Sequence, residues 1–149
     1  MKDRRRYLIS IEDKETRAHI MLIAKKMIQM LCEKQRTDAL LIVQNLKYAN
    51  GTMLNQIFTE QQINTLAKGN SISITEAHRW FMCSMRTLNK HIGKFVILAA
   101  FPSKQDLVKI ERAIQFDSIV VVPNTKEDVD DWVSLYSPEI VSLNSGSKV

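Results

Sequence analysis

Glycine is scarce in this sequence. Only four occur in 149 residues, and none lies in the turn directly after the first apolar segment, Arg6-Tyr7-Leu8-Ile9-Ser10-Ile11. A dinucleotide fingerprint or a Walker loop needs glycines there so that backbone amides can close on phosphates. The turn instead runs Ser10-Ile11-Glu12-Asp13, with two carboxylates where a phosphate would sit. The familiar nucleotide loops are therefore excluded, and no cofactor is expected. Cysteine is scarcer still. Cys32 and Cys83 have no second cysteine or histidine at ligand spacing, which argues against zinc and for two buried free thiols. No apolar run reaches the roughly 20 residues that span a bilayer. The start Met1-Lys2-Asp3-Arg4-Arg5-Arg6 leads into a strand rather than the apolar core of a signal peptide. The expected address is the cytoplasm, with no membrane partner.

Apolar residues are not lacking. They make up 45% of the chain, enough for one domain of this length to bury about two-thirds of its unfolded surface without a disulfide or metal. Residues 1–141 are read as that domain and 142–149, which have no apolar period, as a flexible tail. The net charge is +5 and unevenly placed: residues 1–113 hold 19 Lys/Arg against 10 Asp/Glu, and residues 114–149 hold 2 against 6. Such a basic, lopsided chain can steer an anionic partner.

Four short apolar runs read as strands: Arg6–Ile11, Ala39–Val43, Lys94–Phe101 and Ser118–Val122. Ser71–Ile74 alternates like a brief edge strand. Between the runs lie helical patterns. Lys14 to Lys34 repeats apolar residues at helical spacing, Thr59-Glu60-Gln61-Gln62 is a capping box, and Ser103 and Thr125 stand where caps open two further helices. A helix is also expected over residues 75–91, with Ala77, Phe81, Met85, Leu88 and Ile92 on one face. Strands alternating with helices predict an α/β fold: a Rossmann-like three-layer sandwich with a mostly parallel sheet of about four main strands and helices on both faces.

Such a sheet takes ligands at the carboxyl ends of its strands. Those ends supply the candidate binding residues Ser10, Gln44, Asn45, Ser103, Asn124 and Thr125. Ser103 and Thr125 also stand at helix starts, which suit an anion, although capping alone explains both. The leading expectation is a non-catalytic binding module with a small anionic ligand or a protein partner at this edge. Two alternatives stand beside it. On a helix over 75–91, Arg79, Arg86 and Lys90 would share a basic stripe able to track nucleic-acid phosphates. A small hydrolase or transferase would need a site assembled by tertiary contacts, because no nucleophile elbow is present and His19, His78 and His91 all fall in expected helices. The acidic run Glu127, Asp128, Asp130, Asp131 reads as a solvated face at a helix start rather than a metal site. The wide apolar face around Met21, Leu22 and Ile28 raises a homodimer as a further expectation.

Overall fold

The four apolar runs become the contiguous centre of one sheet. A computed structural model describes residues 4–10, 17–44, 53–88 and 93–141. The expected tail at 142–149, Asn45, Lys90 and His91 lie outside the described residues. In chain order the elements are β1 (Arg5–Ile9), α1 (Arg17–Gln35), β2 (Ala39–Val43), a 3₁₀ turn (Met53–Gln56), α2 (Glu60–Ala67), β3 (Ile72–Ser73), β4 (Arg79–Ser84), β5 (Phe95–Ala100), α3 (Lys104–Ala113), β6 (Phe116–Val122), α4 (Lys126–Tyr136) and β7 (Glu139–Val141). The sheet has seven strands in the order β3-β4-β2-β5-β6-β1-β7. All neighbouring pairs are parallel except β3 with β4.

Side chains alternate across the pleat, so each central strand feeds two cores. On one face Ile9, Leu41, Val43, Trp80, Leu98 and Val120 pack under α1, the 3₁₀ turn and α2. On the other, Leu8, Leu40, Ile42, Ile97, Ile119 and Val121 meet Leu107 and Ile110 of α3 and Val129 and Trp132 of α4. The result is a three-layer α/β sandwich. The breadth of the α1 stripe has its cause here: Met21 and Ile28 are fully buried within this chain, and of the three residues that suggested a dimer only Leu22, at 45%, is exposed. Both edge strands are very short, at 2 and 3 residues, which limits the unpaired backbone offered to another chain.

The helix expected over 75–91 is not formed. Arg79–Ser84 is strand β4, paired with β2 from Ala39↔Trp80 to Val43↔Ser84. Trp80 and Met82 enter one core and Phe81 and Cys83 the other. A strand buried on both faces is a continuous apolar run, and periodicity alone does not separate it from a buried helix. Thr75 caps nothing longer than a turn: its hydroxyl accepts from Ala77 N–H at 3.3 Å, while Ile74 N–H donates to the His78 carbonyl at 2.9 Å and closes the β3–β4 hairpin. β3 is the brief edge strand expected within Ser71–Ile74, and the sheet goes beyond the expected strands by β4 and β7. β7 was missed because three residues after Pro138 carry too little pattern, and its pairing with β1 is a tertiary event.

The expected caps at Thr59, Ser103 and Thr125 are formed, the first two as reciprocal capping boxes. α1 ends with Arg36 at φ 54, the left-handed position usually given to glycine, and Thr37 N–H donates back to the Cys32 carbonyl at 3.2 Å.

One polar cluster ties the first strand to the last two helices. The Glu111 carboxylate, on α3 and 4% exposed, accepts from Arg6 Nε at 2.9 Å and Arg6 Nη2 at 2.8 Å, and from the Trp132 indole at 2.9 Å. Arg6 also stacks on Tyr136, with its guanidinium 4.2 Å from the ring centroid. The Glu111→Ala substitution strands a part-buried guanidinium and a buried indole N–H. It is expected to cost about 3 kcal/mol, measured by urea unfolding, with Glu111→Gln costing less because an amide oxygen still serves Trp132. A loss under about 0.5 kcal/mol for Glu111→Ala, the range of ordinary surface changes, would contradict this role.

Candidate functional site

Connections that leave neighbouring strands toward opposite faces open a crevice at the carboxyl edge. β1 and β2 lead into the layer of α1 and α2, whereas β5 and β6 lead into α3 and α4. Because β2 neighbours β5 and β6 neighbours β1, crevices fall at β2–β5 and at β6–β1. The predicted residues divide between them, with Gln44 and Ser103 at the first and Ser10, Asn124 and Thr125 at the second.

The β2–β5 crevice is bridged by the protein's own groups. Gln44 Nε2 donates to the Phe101 carbonyl at 3.3 Å and to Asp106 Oδ2. Asp106 Oδ2 also accepts from Ser103 N–H at 3.0 Å, and Ser103 Oγ accepts from Asp106 N–H at 3.1 Å. Phe101 holds φ 55, off the usual range for a bulky residue, with its N–H given to the Val122 carbonyl at 2.8 Å. The Ser103 hydroxyl is thus committed to its cap.

At the β6–β1 crevice a pocket of about 270 Å³ opens between the ends of β1, β6 and β7 and the first turns of α4. Its walls are Leu8, Ile9, Pro123, Val129, Val133 and Ile140, with Ser10, Lys126 and Asp130 as the polar members. Of the predicted residues that are described, only Ser10 lines it. Thr125 is turned to capping, accepting from Asp128 N–H at 3.3 Å and donating to Asp128 Oδ2 at 2.9 Å, and Asn124 is exposed in the adjoining turn. Lys126 directly follows the cap that the sequence identified. Ile140 belongs to the unexpected β7, and no sequence signal pointed to it.

The basic stripe is dissolved by the strand. Arg79 and Arg86 lie at and beyond opposite ends of β4. The Arg79 guanidinium is tied to the edge hairpin, donating to Ser71 Oγ at 2.5 Å, to the Ser71 carbonyl at 2.9 Å and to Ser73 Oγ at 3.5 Å. Arg86 is exposed in the turn that follows, where its N–H donates to Ser84 Oγ at 3.2 Å. His78 is at the amino edge, 4.0 Å from Asp38, away from the candidate residues. Among the described residues no group of three or more His, Cys, Asp or Glu side chains is arranged to hold a metal, and no helix is long and apolar enough to cross a membrane. Comparison with protein-family models, curated proteins and solved structures finds no match.

Both cysteines are buried and free. Burial pushes each thiol up to about 12, Cys32 with a further contribution from the negative charges of Asp38 and Asp117. A thiolate is the reactive form, so neither residue suits a nucleophile. Native protein at about pH 8, close to the unperturbed thiol pKa, is expected to leave both thiols unlabelled by a disulfide reagent over the time in which urea-unfolded protein reacts fully. Rapid labelling of either in the native state would contradict their burial.

Proposed function

We propose that this chain is a Rossmann-like, non-catalytic binding module that takes a small ligand with an apolar body and an anionic end in the pocket at the carboxyl ends of β1, β6 and β7. One observation carries the reading: an apolar-walled cavity of about 270 Å³ coincides with a crevice where connections leave toward opposite faces, the place where sheets of this kind bind ligands. Six apolar side chains suit the body of such a ligand. Lys126, in the first turn of α4, supplies a cation close to the free amides of the helix start. Asp130 on the same wall disfavours a second anionic group. Support for a non-catalytic role comes from the hydroxyls of Ser103 and Thr125, both engaged in caps, and from the buried thiols.

A thermal-shift panel of aliphatic and aromatic carboxylates and phosphate monoesters tests the reading. A ligand at about ten times its Kd stabilises by about 1.4 kcal/mol, a rise of roughly 3–6 °C for a domain of this size. Lys126→Gln is expected to weaken the response to the anions, and Ile140→Trp, at a position 52% exposed on the pocket wall, to abolish it by filling the cavity. A flat response across the panel, or shifts that survive Ile140→Trp, would remove this pocket as the site.

A further inference from the structure

One face of α4 sets two opposite charges at the mouth of the pocket beside β1. Lys126, Val129, Asp130 and Val133 fall at i, i+3, i+4 and i+7 of the helix, and all four line the cavity. Val129 is buried and Val133 half-buried, whereas Lys126 and Asp130 are exposed. The charges therefore belong to the mouth and the valines to the interior. Helix stability does not account for the pair. A lysine in the first turn opposes the helix dipole, and a cation placed N-terminal to its acid at i, i+4 is the weaker of the two orders. Neither residue is in an ion pair with a described residue, including each other. The other acids of α4 are placed differently: Asp128 accepts from the Thr125 hydroxyl at 2.9 Å, Asp131 lies 3.4 Å from Lys104, and Glu127 is exposed and does not line the cavity. Together these acids outnumber Lys126, which opposes a ligand carrying negative charge alone.

From this arrangement we infer that the ligand is a free α-amino acid with an apolar side chain, an inference that rests on the pocket reading above and narrows it. The carboxylate meets Lys126 at the start of α4, the ammonium meets Asp130, and the side chain enters among Val129, Val133 and Ile140. Both polar groups of an amino acid are ionised at neutral pH. They are carried on one carbon, and the two protein charges start from backbone positions one helical turn apart, about 5–6 Å between Cβ atoms. A monocarboxylate leaves Asp130 without a partner and beside a like charge, and a monoamine does the same to Lys126, so the pair selects against each. A peptide separates its terminal charges along its backbone, which favours the free amino acid over it. The volume agrees: about 270 Å³ falls just below the ~300–1,000 Å³ of drug-sized pockets, room for one apolar side chain and its α-carbon groups.

The test is titration calorimetry of the full chain at about pH 7 with L-leucine and L-phenylalanine, with the same molecules lacking the ammonium (4-methylpentanoate and 3-phenylpropanoate), and with those lacking the carboxylate (3-methylbutylamine and 2-phenylethylamine). At least one amino acid is expected to bind about tenfold or more tightly than both of its truncated forms, the loss that one charge-assisted hydrogen bond brings. Asp130→Asn, at an exposed position and with its fold checked by circular dichroism, is expected to bring that amino acid and its carboxylate analogue within about threefold of each other. Lys126→Gln does the same for the amino acid and its amine. If the carboxylates bind the wild-type chain as tightly as the amino acids, or if Asp130→Asn leaves the preference intact, the inference is overturned and the pocket reading stands. Amines that bind as tightly as the amino acids overturn both the inference and the anionic end of that reading. If none of the six compounds binds, the inference falls, and the pocket reading falls with it only when the wider panel of carboxylates and phosphate monoesters is flat as well.

Discussion

Parallel strand pairing is the constraint from which the rest of this structure follows. Two parallel neighbours cannot be joined by a tight turn, so each connection must cross back over the sheet. In the order β4-β2-β5-β6-β1-β7 the steps toward β4 place α1 and α2 on one face, and the steps toward β7 place α3 and α4 on the other, as a single crossover hand requires. The two apolar cores are a consequence, and so are the two polar edges. The starts of α3 and α4 collect at one edge with their caps and carboxylates, and the ends of α1, α3 and α4 collect at the other. The Glu111 cluster fastens this arrangement at the amino edge, joining β1 to α3 and α4 through Arg6 and Trp132.

The carboxyl edge shows how folding needs and binding needs compete for the same residues. Ser103, Asp106 and Thr125 are polar and well placed, yet their atoms are spent on the first turns of α3 and α4. Gln44 then reaches from β2 to Asp106 and to the strained Phe101, bridging one crevice. The crevice beside β1 is different: there the short strand β7 and the first turns of α4 stand around an apolar space. Shape and apolar contact dominate, and among the described residues Ser10, Lys126 and Asp130 are its polar members.

Legibility in the sequence tracks how local the deciding physics is. Capping is decided within four residues, and Thr59, Ser103 and Thr125 were readable. Strands buried on both faces, such as Ala39–Val43, announce themselves as unbroken apolar runs. Residues 79–84 carry the same signal, but Thr75-Glu76 before them and the spacing of Phe81, Met85 and Leu88 imitate a helix; only the slot between β2 and β3 decides for a strand. That one misreading also created the basic stripe of Arg79, Arg86 and Lys90. Ile140 was beyond reach, because three residues of β7 have no pattern apart from their partner β1.

The seven-strand, mostly parallel sheet described here requires β4 to lie beside β2. Nuclear Overhauser contacts across that pair examine it directly. The account predicts inter-strand amide and Hα contacts linking Leu40–Ile42 with Phe81–Cys83, in the parallel register Leu41↔Met82, together with slow amide exchange through both segments. A ladder of sequential amide–amide contacts running from Glu76 to Leu88, with no contacts to β2, would instead establish a helix there and contradict the account.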